Sequence, residues 1–167
     1  EDDSVLKIAH NMKYDWQMFA KAGIHVSPID DTMLLSYVLD GSAHSHGMDY
    51  LSEKYLQHKP IAYEEVAGKG KNAVTFDKVP IEKALTYAAE DADVTLRLHR
   101  ILKPRLAREH MVSVYENMDR PLSPVIAQME LTGIRVDPQL LKSMSNEFGK
   151  KLAALETEIH TLAGHPF

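Results

Sequence analysis

Tyr87 and Asp91 stand four residues apart in the run Tyr-Ala-Ala-Glu-Asp-Ala-Asp at 87–93, and four residues turn an α-helix by about 400°. On a helix the phenol and the carboxylate therefore project from one face, one above the other. A second cluster, Asn11, Tyr14 and Asp15, lies far upstream, where the short apolar run from Val5 to Ala9 meets a helical pattern. Carboxylates from two distant segments, each with a tyrosine beside it, suit metal-assisted phosphodiester hydrolysis. The acids hold divalent cations and a phenol orients the attacking water. Asp93 invites grouping with Asp91, but residues two apart on a helix point about 200° apart and cannot share an ion. It is expected to face solvent or to serve structure.

Two further groups have weaker chemistry. His44 and His46 flank Ser45 in a polar loop with no third ligand nearby, so contact with solvent or phosphate is expected rather than a zinc site. Lys69 and Lys71 sit in Gly68-Lys69-Gly70-Lys71-Asn72, which lacks the full Gly-x-x-x-x-Gly-Lys-Ser/Thr pattern of a triphosphate-cradling loop. A basic loop beside a nucleic-acid path, or a plain surface loop, is the expected reading.

The elements that must position these residues follow from periodicity and punctuation. Val5 to Ala9 predicts a short buried strand, and a helix is expected from Asn11 to a stop at Gly23. Extended chain follows through Ile24–Val26 and Pro28-Ile29. Asp31 is placed to cap a helix carrying Met33, Leu34, Tyr37, Val38 and Leu39. Met48 to Leu56 predicts another helix, and Pro60 interrupts. Pro80 opens a helix of about twenty residues with Ile81, Leu85, Ala88, Ala92, Leu96 and Leu102 at helical spacing, and Tyr87, Asp91 and Val94 on a second face. Such a helix is expected to pack on a sheet and offer its other side to a site. Pro104 is expected to break it. Pro121 and Pro124 are expected to start a helix that Gly133 stops, with Ile134–Asp137 extended after it. From Pro138 a stripe of Leu141, Met144, Phe148, Leu152, Leu155, Ile159 and Leu162 steps by three or four to Gly164, near the repeat of a helical hairpin or coiled coil. Its second arm is absent from the sequence.

Composition excludes some classes. The 167 residues are 44% apolar and 26% charged, ordinary for a globular protein, with enough chain for one core or parts of two. No apolar run approaches the roughly 18 residues of a membrane span. The absence of cysteine removes disulfides and thiolate metal sites and suits a reducing compartment. A net charge of −5 argues against a surface that coats nucleic acid, though not against an enzyme that meets it through metal ions and a local patch. The chain opens at Glu1 and closes on Pro166-Phe167, so it reads as a piece of something longer.

In combination the motifs are specific. Asn-x-x-Tyr-Asp at 11–15 followed by Tyr-x-x-x-Asp at 87–91 resembles the second and third motifs of the tyrosine-bearing 3′–5′ exonucleases with four acidic residues. Asp31-Thr32-Met33-Leu34, the run Ala67 to Asn72, and Tyr87 through Thr95 resemble the proofreading domain of the bacterial family A DNA polymerases. Met129 to Asp137 resembles the segment of that family that opens the polymerase domain and leads into the first long helix of the thumb. That last segment separates the family from RNase D-like RNA exonucleases, which share only the nuclease motifs. The resemblance covers essentially the whole chain.

The resemblance implies an α/β fold: a partial RNase H-like exonuclease domain, helix-dominated with few short strands, over residues 1–108, then helices of the polymerase thumb over 109–167. Asp15 and Asp91 would be ligands of two divalent ions about 4 Å apart, Mg²⁺ or alternatively Mn²⁺ or Zn²⁺, that clamp an in-line displacement. Tyr87 would orient the water. Asn11 would support substrate or the Asp15 loop, with Tyr14 beside it on the strand, and Tyr63 would stack on the terminal base. His46 and Met48 would line the single-strand path, and Lys69 and Lys71 would lie near it. Implied partners are a single-stranded 3′ end and primer–template DNA. The parent would be a monomeric enzyme of replication and repair, cytoplasmic and associated with the bacterial nucleoid. The family's first motif, Asp-x-Glu, occurs nowhere in the 167 residues. The chain is therefore expected to begin downstream of it and to be inactive alone. The other readings are a catalytically dead spacer domain, against which the retention of Asp15, Tyr87 and Asp91 argues, and an RNase D-like enzyme.

Overall fold

The computed structural model describes residues 1–166, and the side chains of all of these except Asn72. Two compact units divide after Thr132.

In the first unit, strand β1 (Lys7–Ala9) leads through α1 (Met12–Lys21) to strand β2 (Ile29–Asp31), and the strands pair in parallel with Ala9 opposite Asp31. The expected five-residue buried strand is only three residues long. Val5 and Leu6 lie exposed before it, because β2 offers hydrogen-bonding partners to Lys7, Ile8 and Ala9 alone. Asn11, at the turn into α1, has a left-handed φ of 63°, a conformation that asparagine tolerates better than most non-glycine residues.

Helix α2 (Thr32–Asp40) starts at Asp31 as expected, and α3 (Met48–Leu56) follows the polar loop. The short α4 (Tyr63–Ala67) precedes the glycine-rich loop, which contains a tight turn at Gly70–Asn72. Helix α5 (Ile81–Arg108) is 28 residues long and runs straight through Pro104. Proline removes one helical hydrogen bond, but here Pro104 and its would-be acceptor residue Arg100 are both exposed, where solvent can reach the backbone. Meanwhile Leu102 and Leu106 stay buried on the opposite side and hold the helix together.

The core is Leu35, Leu51, Val94, Leu98, Leu102, Leu106 and Tyr115. On α5 this differs in phase from expectation: Ile81 and Leu85 are exposed, and the buried line is Val94, Leu98, Leu102 and Leu106. That line continues the Tyr87–Asp91 face rather than opposing it. The helix packs chiefly on α2 and α3, and on β1 as well.

Tyr115 lies on a helical stretch that starts earlier than Pro121. Helix α6 (Val112–Val114) passes through a π turn at Tyr115–Asp119 into α7 (Arg120–Thr132). Pro121 and Pro124 lack the N–H groups that would bond Asn117 and Arg120, and the wide turn just before them takes up the misfit. A buried ionic hub fixes this stretch. Asp30, fully buried, accepts from His99 (2.8 Å), Lys103 (3.1 Å) and the Tyr115 hydroxyl (3.0 Å). A second lock joins Asp40 to Arg105, with Tyr55 donating to the same carboxylate at 2.8 Å.

The second unit is residues 133–167, of which 133–166 are described. Ile134 to Asp137 is irregular chain, not strand, and Asp137 caps α8 (Pro138–Ala163) through the Gln139 and Leu140 N–H groups. The expected apolar stripe is present, and none of its seven residues is buried.

Candidate active site

A cleft of about 500 Å³ opens where the β1–α1 turn faces the first half of α5. Asn11, Tyr14 and Asp15 line it from the start of α1, Tyr87 and Asp91 from α5, and Met48 from the start of α3. Two segments 72 residues apart in sequence, reckoned from Asp15 to Tyr87, thus meet at one place.

Local folding explains the placement. Asp31 accepts from the N–H groups of Asn11 (3.0 Å) and Met12 (2.9 Å), and also from those of Met33 (2.8 Å) and Leu34 (3.4 Å). One buried carboxylate therefore fixes the starts of both α1 and α2. Tyr14 and Asp15 lie in the first turn of α1 so fixed. Opposite them, Tyr87 and Asp91 are held by the buried line of α5 that begins one turn later at Val94 and Thr95.

The electrostatics separate this cleft from the structural ion pairs. Burial pushes the Asp15 carboxyl up, with the Asp31 charge adding to it. Burial likewise raises Asp91, with Glu90 and Asp49 contributing, although a hydrogen bond with Tyr87 acts the other way. The Tyr87 phenol is pushed up to about 12 by burial and by the adjacent Asp91 charge, so it remains a proton donor at neutral pH. At Asp30 the penalty of burial is outweighed by His99, Lys103 and Tyr115, which hold the carboxyl down at about 2. At Asp40 the Arg105 guanidinium drives the same downward shift. No lysine or arginine is among the described residues lining the cleft. Asp15 and Asp91 are thus hard oxygen donors whose charge no side-chain cation offsets. That donor chemistry fits divalent cations such as Mg²⁺. By themselves they are an incomplete set, and among the described residues no group of three acidic or histidine side chains is placed to hold an ion.

The other expected contacts divide. Tyr63 stands 48% exposed at the rim, its ring 6.1 Å from that of Tyr87. Lys69 is exposed and pairs with Glu64 at 3.0 Å, and Lys71 is exposed in the tight turn. His46 does not line a strand path as expected. It is 5% exposed, with Nδ1 against Ser36 Oγ at 2.7 Å, Nε2 against the Gly41 carbonyl at 2.5 Å and its ring on Tyr37. The imidazole ties the 41–47 loop to α2, its own buried nitrogens meeting Ser36 and the Gly41 carbonyl. His44 beside it faces Asp40 and Tyr50. Asp93 is exposed and pairs with Arg97, as its helical angle requires.

Three contributors escaped the sequence reading. His10 lines the cleft with Nδ1 against Thr32 Oγ1 at 2.8 Å, and burial lowers it to about 4, so the ring is neutral. Its place beside Asn11 was the only signal. Glu90 accepts from the Ile61 N–H (2.6 Å) and contacts His58 (2.8 Å), which ties down the segment leading to Tyr63. Phe76 packs on Tyr87, and nothing in the local pattern marks it.

Comparison with known proteins shows the family. Residues 1–107 match the family model described as 3′–5′ exonuclease. The chain is 57% identical over its full length to DNA polymerase I of Rhizobium leguminosarum and 46% identical to that of Pseudomonas aeruginosa. It spans only 16% and 19% of those relatives. Among solved structures, the POL domain of Pol1 from M. smegmatis, in complex with DNA primer-template and dNTP, has a TM-score of 0.71 at 22% identity. The match covers 99% of this chain and 26% of that one. Brucella melitensis NrnC bound to pGG has a TM-score of 0.66 at 24% identity, over 83% of this chain and 64% of the other. The same protein with bound Mg²⁺ has a TM-score of 0.65 at 25% identity, over 80% of this chain and 61% of the other. With its exonuclease match over residues 1–107 and its full-length likeness to bacterial polymerases, the chain belongs to the 3′–5′ exonuclease domain family of the family A DNA polymerases.

Proposed function

We propose that the cleft receives the 3′ end of a single DNA strand for proofreading, as part of a longer DNA-directed DNA polymerase. The observation that carries this reading is the meeting of Asn11, Tyr14 and Asp15 with Tyr87 and Asp91 in one cleft. Asp15 and Asp91 are the protein's ligands to two divalent cations, together with carboxylates supplied from outside these 167 residues. When bound, such ions lower the pKa of a water and stabilise the charge on the leaving 3′ oxygen. The neighbour described with bound Mg²⁺ supports that choice of ion.

The chain's own residues do the positioning. Tyr87, protonated at neutral pH, turns the hydroxyl that here bonds Asp91 toward the attacking water and orients it. Tyr63 at the rim stacks on the terminal base. Such stacking is worth about 1–3 kcal/mol and tolerates any base, as proofreading requires. Asn11, Tyr14 and Met48 contact the strand, and the Lys69/Lys71 loop draws its phosphates. The neighbour bound to pGG supports a short single strand, and the polymerase neighbour bound to primer-template supports DNA as the longer protein's partner.

The exonuclease domain ends at about residue 108, one residue past the family match and at the end of α5. Residues 109–167 begin the polymerase domain. By this division α6 and α7 belong to the second domain in sequence, while they pack within the first compact unit. The test is to measure 3′ excision and primer extension on the same preparations of the longer protein. Excision that depends on Asp15 and Asp91 while extension does not supports the reading, and parallel loss of both overturns it.

A further inference from the structure

Tyr87 lies on the first half of α5, where the residues one turn away on its own face, Lys83, Ala84, Glu90 and Asp91, include no large apolar side chain to pack on its ring. Its lateral contacts come from elsewhere. The Phe76 ring lies 5.8 Å from it at 56°, and the Tyr63 ring 6.1 Å away at 71°. Phe76 and Tyr63 are themselves 6.3 Å apart at 27°, so the three rings close a triangle. Separations and tilts of this kind are those of mutually attractive aromatic pairs.

The segment bearing Phe76 is anchored on both sides. Upstream, the Val74 N–H donates to the Ala67 carbonyl at 2.8 Å, and Ala67 is buried. Downstream, a tight turn at Phe76–Lys78 closes with the Val79 N–H on the Phe76 carbonyl at 3.1 Å, and Val79 is buried. Phe76 itself does not line the cleft.

We propose that Phe76 is a positioning residue that holds the Tyr87 ring in the orientation from which its hydroxyl reaches the attacking water. This rests on the reading of the cleft given under Proposed function. A group that holds Tyr87 acts on the turnover step, and that part of its effect vanishes once the Tyr87 hydroxyl is gone.

The experiment is a double-mutant cycle in the longer polymerase, with single-turnover excision of a single-stranded DNA. Phe76→Leu is expected to lower kcat roughly ten- to a hundred-fold, the scale of a displaced catalytic group, with a smaller rise in KM through its contact with Tyr63. Phe76→Tyr, which keeps the ring, is expected to restore the parental rate. In a Tyr87→Phe background, Phe76→Leu is expected to lower kcat no further. Primer extension and thermal melting report that each variant is folded. A raised KM with parental kcat would make Phe76 a strand contact and overturn the proposal, as would a full further loss in the Tyr87→Phe background. If Tyr87→Phe alone excises at the parental rate, the reading of the cleft falls, and the role of Phe76 with it.

Discussion

Asp31 grips the backbone of Asn11, its Oδ1 accepting the Asn11 N–H at 3.0 Å across the β1–β2 pair, while the same oxygen caps α2 through Met33 at 2.8 Å. The helix that presents Asp15 is therefore oriented by a residue outside the cleft's chemistry. Asp31→Ala is expected to destabilise the fold by about 2–4 kcal/mol, two caps at the upper part of the usual range. At temperatures where the variant is still folded it should also lower excision. Chemical denaturation and excision assays check this, and a variant that melts like the parent would show the double cap to be idle.

In the longer protein, Asp15→Ala and Asp91→Ala are each expected to abolish excision and leave nucleotide addition nearly unchanged, since each removes a ligand from an ion with few. Tyr87→Phe should do less, about ten- to a thousand-fold, because one positioning hydrogen bond is lost while both carboxylates stay. Excision and extension rates on the same preparations decide it. Parental excision by the Asp91 variant would remove it from the ligand set.

The 167-residue chain alone is expected to show no excision of labelled single-stranded DNA with Mg²⁺ or Mn²⁺, because Asp15 and Asp91 are too few to assemble the ion pair. Progressive 3′ shortening that Asp91→Ala abolishes would refute this.

Acid should unfold the first unit by way of Asp30 and Asp40. Both have folded-state pKa values held below the unfolded value of about 3.9, Asp30 at about 2. Their contribution is thus fully present above about pH 4 and is lost as pH falls toward about 2. Asp30→Asn should remove much of that slope and cost about 3 kcal/mol at neutral pH. This is the low end for breaking a buried pair, because Lys103 and Arg120 are partly solvated. Denaturation midpoints from pH 2 to 7 measure it. An unchanged pH slope in Asp30→Asn would show that the hub does not control acid stability.

What the sequence reveals and what it hides follow from the range of the interactions involved. Asp31 announces a helix start because a cap bonds to N–H groups two and three residues on. Tyr87 and Asp91 announce a shared face because a helix repeats every 3.6 residues. The phase of the α5 core was misleading, since Ile81 and Leu85 are as apolar as Leu98 and Leu102, and only the presence of α2 and α3 decides which are covered. Pro104 and Pro121 signal breaks locally, and packing or a widened turn overrides them. The burial of His46 depends on Ser36, Tyr37 and Gly41, and the second helix held by Asp31 and the ring of Phe76 on Tyr87 on partners more than ten residues away; none of these follows a helical or strand repeat.

The Tyr87–Asp91 face of α5 runs without a break into its buried line at Val94, Leu98, Leu102 and Leu106. Chemistry and anchorage thus share one helical register. A substitution along this helix changes one contact, but a single inserted or deleted residue between Asp91 and Leu98 swings the phenol and the carboxylate by about 100° relative to the core. Evolution can vary this segment's letters far more freely than its length.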